Sequence, residues 1–143
     1  MRWLKDERGS VMAYYVFLIA LVIMPLMVMT TEITRAMFVD IHLQSATDAA
    51  CSAASQAVNV PYFIQNGVLK IDLSAARTYA YREFDSTVSD STLRRYTPIL
   101  TSVNLLTDSM VGCEAVAQMT WVLPGIPALT VHSSAVAGAQ ATR

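Results

Sequence analysis

The chain has 143 residues, enough for one small domain, and only 15% of them are charged, against about a quarter in a typical soluble domain. Ten basic and eleven acidic side chains leave a net charge of −1, which excludes a protein that binds nucleic acid by neutralising phosphates. A 54% hydrophobic content excludes disorder, and five Gly and two Cys exclude collagen-like and disulfide-scaffold classes.

The charge shortfall is local. No charged residue lies between Arg8 and Glu32, a gap of 23 positions. Inside it, residues 11–29 form a nearly unbroken apolar run, with Tyr14 and Tyr15 near its start. As a helix this run is about 28 Å long, close to the roughly 30 Å hydrocarbon core of a bilayer. A buried core helix is the alternative, but a helix this long in a small domain needs a polar face, and this one has none. The expectation is therefore a transmembrane helix over residues 10–31, kinked between Leu21 and Pro25, where proline removes a backbone hydrogen bond. Arg2, Lys5 and Arg8 precede the run and only Arg35 follows closely, so the positive-inside rule puts the N-terminus in the cytoplasm and residues 32–143 outside. That outer part carries seven basic and nine acidic residues, a balance too small to steer a partner.

A cleaved secretory signal would have a shorter apolar core, of about 7–15 residues, and a small-x-small site. This run ends Met29-Thr30-Thr31-Glu32 without one. Cleavage on the other side is the open question. The charged leader, residues 1–9, ends at Gly9, where prepilin-type leaders are removed, so Gly9 and Ser10 form the candidate cleavage site. A mature N-terminus at Ser10 would mark such processing; a retained Met1 would mark a permanent anchor.

From residue 31 to residue 58 no Gly or Pro interrupts the chain, so the helix is expected to continue beyond the membrane, over residues 32–60. Ile33, Met37 and Ile41 recur at spacing four as an apolar stripe. Ala46, Ala49, Ala50, Ala53, Ala54 and Ala57 then recur at three and four, and alanines let another backbone approach closely. Such a surface suits either the helix's own domain, the reading favoured for the distal part, or a partner helix. Asn59-Val60-Pro61 reads as the stop. Glu32 and Arg35 are candidates for inter-subunit polar contacts, with a local i, i+3 ion pair as the alternative.

The ordered set Arg8-Gly9, Pro25, Glu32, Arg35, Leu43-Gln44-Ser45-Ala46-Thr47-Asp48-Ala49-Ala50 resembles TadE/TadG-like proteins of the tight-adherence (Flp) pilus system. The resemblance covers roughly the first 60 residues; Leu123-Pro124-Gly125-Ile126-Pro127 is also similar to the family. It implies a bacterial inner-membrane protein whose partners are membrane lipid, pilin-like subunits and pilus assembly proteins. A prepilin peptidase and a second copy of the chain are candidate partners. Prepilin-type substrates carry Glu at the fifth position after the cleavage glycine. Tyr14 stands there, which points to a minor pilin or assembly factor rather than a major pilin. The larger TadG-type proteins carry an adhesion-type domain that 143 residues cannot hold.

Residues 61–143 are expected to form an extracytoplasmic head. Gln65-Asn66-Gly67 between the apolar segments 62–64 and 68–71 favours a type I′ hairpin, with a loop as the alternative. Asp72 is a good N-cap for a helix over residues 73–88, with Leu73, Ala76, Ala80 and Phe84 on its apolar side and Arg77, Arg82, Glu83 and Asp85 solvated. Three strands follow, at 102–106, 111–123 and 129–137. On the second, Val111, Cys113, Ala115, Ala117, Met119 and Trp121 share one face, and Glu114, Gln118 and Thr120 the other. Pro124-Gly125-Ile126-Pro127 forces a turn. The expected fold class is α+β: a long N-terminal membrane-spanning helix running into a small head of one further helix and an antiparallel sheet, pilin-like by the resemblance.

Cys51 on the alanine-rich helix and Cys113 on the inward strand face form a candidate disulfide, since both are expected outside the cytoplasm, where such bonds persist. Closing a loop of this size would contribute roughly 4 kcal/mol; two buried thiols are the alternative. No catalytic, cofactor or metal constellation emerges. His42 reads as a polar helix position and His132 as outward-facing, neither in a metal-ligand spacing. Asp48 is a candidate lone buried acid and reads as a packing or cap-like hydrogen-bonding position rather than a general base, since no second carboxylate accompanies it locally. The sequence therefore favours a non-enzymatic structural or assembly component of a Tad/Flp-type pilus or secretion machine. The alternative is a membrane-tethered extracytoplasmic binding or scaffold domain unrelated to pili.

Overall fold

The computed structural model describes residues 7–89, 91–121 and 127–139, with side chains from residue 11 onward. The chain divides into two units, Met1–Arg35 and Ala36–Arg143. Helix α1, Glu7–Ser55, runs through both and continues past Pro25.

In the first unit α1 is a bare apolar rod. Among residues 11–31 all side chains but the half-exposed Val28 are exposed, and the helix is long and apolar enough to cross a membrane.

In the second unit α1 has two faces. Val39, Leu43, Ala46, Ala50 and Ala54 are buried at steps of four and three, the period that keeps side chains on one side of a helix. The helix ends at Ser55, ahead of the expected stop, and its end is tightened by bonds from the Gln56 amide to the Ala53 carbonyl and the Ala57 amide to the Ala54 carbonyl. Asn59 caps the next helix instead of ending this one.

That next helix, α2, Val60–Asn66, replaces the expected hairpin. The Asn59 side chain accepts from the Tyr62 amide at 3.1 Å, Pro61 sits in the first turn, and Gly67 closes the helix in a left-handed conformation (φ 66°). Asn-Gly is thus the end of a helix, because glycine enters that region without steric cost. The segments flanking α2 still pair: Val58 bridges Ile71 in antiparallel fashion. Helix α3, Leu73–Ser89, begins after Asp72, whose carboxylate accepts from the Ser74 amide at 2.8 Å and hydroxyl at 2.7 Å. Its buried residues are Ala76, Ala80 and Phe84. A short 3-10 turn, Thr92–Tyr96, follows and buries Leu93.

The sheet is antiparallel, in the order β1-β2-β3, with β1 at Ile99–Thr107, β2 at Met110–Met119 and β3 at Leu129–Gly138. On β2 the buried residues are Val111, Cys113, Ala115, Ala117 and Met119, as the alternation predicts. Trp121 lies beyond the strand's end and is half-buried. Strand β1 starts three residues before the predicted position. Its register shifts between Leu100 and Ser102, so Leu100 and Val103 both face inward despite a spacing of three. The expected end of β2 at Leu123 and most of the Pro124-Gly125-Ile126-Pro127 turn lie outside the described residues.

The second unit is α+β, with a core of α1 and α3 side chains against one face of the sheet. Its one expected further helix is in fact two α-helices plus the 3-10 turn.

Candidate functional site

Gly9 and Ser10 lie within the first two turns of α1. At the other end of the apolar rod, polar side chains bond back onto the helix. The hydroxyl of Thr30 donates to the Leu26 carbonyl at 2.8 Å, Thr31 to Val28 at 2.8 Å and Thr34 to Thr30 at 2.9 Å. Hydroxyls satisfied in this way tolerate an apolar boundary. Arg35 Nη1 donates to both Glu32 carboxylate oxygens, at 3.1 and 3.4 Å. The pair is thus a local i, i+3 ion pair. Glu32 is only 3% exposed and Arg35 is half-buried.

The apolar stripe and the alanine stripe separate. Ala46, Ala50, Ala54 and Ala57 are buried in the head's own core, with Ala49 and Ala53 half-buried. Ile33 is 47% exposed, Met37 62% and Ile41 64%. Beside Met37 runs an open groove of about 400 Å³, lined also by Ala36, Asp40, Leu129, Val131 and His132. The head therefore uses one face of the extended helix and leaves an apolar one uncovered.

The Leu43-Gln44 and Thr47-to-Ala50 segment is where α1 is held to the sheet. Leu43, Ala46, Thr47 and Ala50 are buried, and the Thr47 hydroxyl donates to the Leu43 carbonyl at 2.7 Å. The Gln44 amide donates to Asp48 Oδ1 at 3.1 Å and to the Ser134 carbonyl at 3.3 Å, while Ser133 donates to Gln44 Oε1 at 2.7 Å. Asp48 is exposed, not the buried acid expected. Its hydrogen-bonding role stands, since it orients Gln44. Gln44 as a tether was missed in the sequence because its partners lie about ninety positions away. Helix α2 did carry a readable signal, in Asn59 before Val60-Pro61 and Gly67 after Asn66.

Cys51 and Cys113 meet in the core as free buried thiols. The Cys51 thiol donates to the Val111 carbonyl at 3.2 Å and approaches the Ala135 carbonyl at 3.5 Å. Cys113 is next but one to Val111 on β2 and directly opposite Ala135 on β3. Burial, and then contact with Cys51, push the Cys113 thiol well above the ordinary cysteine range.

His42 is half-buried, its Nδ1 2.9 Å from the Phe38 carbonyl and its ring 3.9 Å from that of Phe38. His132 is exposed on β3. Among the described residues no group of three or more His, Cys, Asp or Glu is placed to hold a metal ion. Among the described residues, the lining of an open groove of about 570 Å³ beside Ser52, Ser55, Gln56 and Val136 holds no titratable side chain.

Comparison with family models, curated proteins and solved structures finds no match for this chain.

Proposed function

We propose that the chain is a non-enzymatic, single-pass structural or assembly component of a Tad/Flp-type pilus or secretion machine, similar to a minor pilin or pseudopilin. The observation that carries this reading is the division of labour on α1: its alanine face serves its own head, while Ile33, Met37 and Ile41 stay exposed. An isolated anchor needs only the apolar run. A helix that must also pack against neighbouring helices needs an uncovered apolar face, and exposed side chains of this size are costly unless something covers them. The TadE/TadG resemblance of the first 60 residues names the kind of neighbour: pilin-like helices in the inner membrane. In this reading the N-terminus is cytoplasmic, following Arg2, Lys5 and Arg8. The head is extracytoplasmic, and Glu32 and Arg35 are the candidate polar contacts with a neighbouring subunit.

The test is piliation in a deletion strain, with filaments sheared from the parent strain and probed for the chain. The expected result is loss or reduction of piliation on deletion, with the chain recovered in the filament or its membrane assembly. Unchanged piliation in the deletion strain overturns the reading in favour of an unrelated tethered domain.

A further inference from the structure

We propose that Cys51 and Cys113 are two halves of a covalent staple, closed by a thiol–disulfide oxidant while the helix–sheet core is still open and then sealed inside it. Three contacts independently put the Cys51 sulfur over Cys113. It reaches the Val111 carbonyl at 3.2 Å, two residues along β2 on the same face. It reaches the Ala135 carbonyl at 3.5 Å, on the residue paired with Cys113. It also lies against the Cys113 thiol itself. Ala50 and Ala54 on the helix and Ala115 and Ala135 on the sheet are buried in the same core. The two sulfurs therefore meet in a part of the core that includes four small side chains.

Burial sets the timing. Cys51 is 0% exposed and Cys113 1%, so no oxidant reaches either sulfur in the folded head. Burial also holds the Cys113 thiol in its protonated form, a poor nucleophile because the thiolate is the attacking species. In the open chain both restraints are lifted. One cysteine thiolate attacks a small-molecule disulfide, forming a mixed disulfide and releasing one thiol. The other cysteine then attacks that mixed disulfide, forming the internal S–S bond and releasing the second thiol. The two protons lost by the cysteines end on the two released thiols. The bond ties α1 to β2 across 62 positions, so it fixes to the sheet the helix that carries the exposed stripe. Supply of the oxidant in the cell rests on the extracytoplasmic orientation proposed above; the pairing itself does not.

The experiment uses the full chain in detergent micelles with oxidised glutathione as the oxidant, read by intact mass and by thiol alkylation after denaturation. The reduced folded protein is expected to stay reduced. Protein refolded from urea with the oxidant is expected to lose two hydrogens, to protect both cysteines from alkylation, and to melt about 10 °C or more above the reduced form. Stable glutathione adducts on Cys51 or Cys113 after refolding, or an internal bond that lowers the melting point, overturn the staple. Rapid oxidation of the folded protein overturns the order of events. Cys51→Ala is expected to take up one glutathione at Cys113 when oxidised unfolded, so the chemistry is read even if that variant refolds poorly. A bond that forms in the purified chain but is missing from acid-trapped cells supports the pairing and overturns the orientation.

Discussion

The hydroxyl of Ser133 on β3 donates to the side-chain oxygen of Gln44 on α1 at 2.7 Å, a bond between residues 89 positions apart. Ser133 is buried, so the bond replaces water that this hydroxyl cannot otherwise find. Gln44→Leu is expected to cost about 1–3 kcal/mol, the penalty for stranding a buried polar group. Adding Ser133→Ala is expected to recover part of that loss, since the stranded partner is then gone. Urea denaturation of the four proteins of this cycle measures the coupling; strictly additive losses would contradict it.

Ala50 is fully buried in the core between α1 and the sheet. Ala50→Leu is expected to destabilise the head by about 1–3 kcal/mol through overpacking, even though leucine is a good helix former. The same change at exposed Ser45 is expected to leave the denaturation midpoint nearly unchanged.

Asp72 caps α3 through two hydrogen bonds from Ser74, and these bonds hold its carboxyl below the ordinary aspartate range. The folded state therefore binds this proton less readily than the unfolded state. The cap's contribution is complete above the unfolded aspartate value, about 3.9, and is lost as pH falls through the lower folded value. Asp72→Asn keeps an accepting oxygen and removes the titration. The stability difference between the two proteins is expected to shrink on going from about pH 5 to about pH 2. A constant difference would show that the carboxylate is not the cap.

The elements legible in the sequence are those whose signals are local. Asp72 and the Ala76–Ala80–Phe84 spacing marked α3, and the alternation from Val111 to Met119 marked the inward face of β2. The start of strand β1 is not legible because the bulge at Leu100–Ser102 breaks the period of two. The sequence of helix α2 favours a hairpin or a loop because Asn-Gly serves both a type I′ turn and a helix end, and apolar runs of three or four residues do not separate the two. The candidate site was legible in its parts and not in its sides. Periodicity shows that Ile33, Met37 and Ile41 share a face, but only the packed head shows that this face is the one left uncovered. The Gln44 tether depends on a partner strand that helix periodicity cannot supply.

Met37 and Ile41 are well exposed, so their removal creates no cavity in the head. The double variant Met37→Ser, Ile41→Ser is expected to change stability by no more than about 0.5 kcal/mol per site. Its association with other helical membrane subunits, read by co-purification from solubilised membranes, is expected to fall. A large loss of stability with association intact would mean that the stripe serves the chain's own fold.

Crosslinking in intact cells tests the central claim most directly. A photo-crosslinking side chain placed at Met37 on the uncovered face of α1 is compared with one at Asp85, exposed on α3. The account predicts adducts from Met37 to a second helical membrane subunit of the pilus machinery, at a membrane-proximal helical segment of that subunit, and few or none from Asp85. Adducts from Met37 to lipid alone, or equal adducts from both positions, would contradict it.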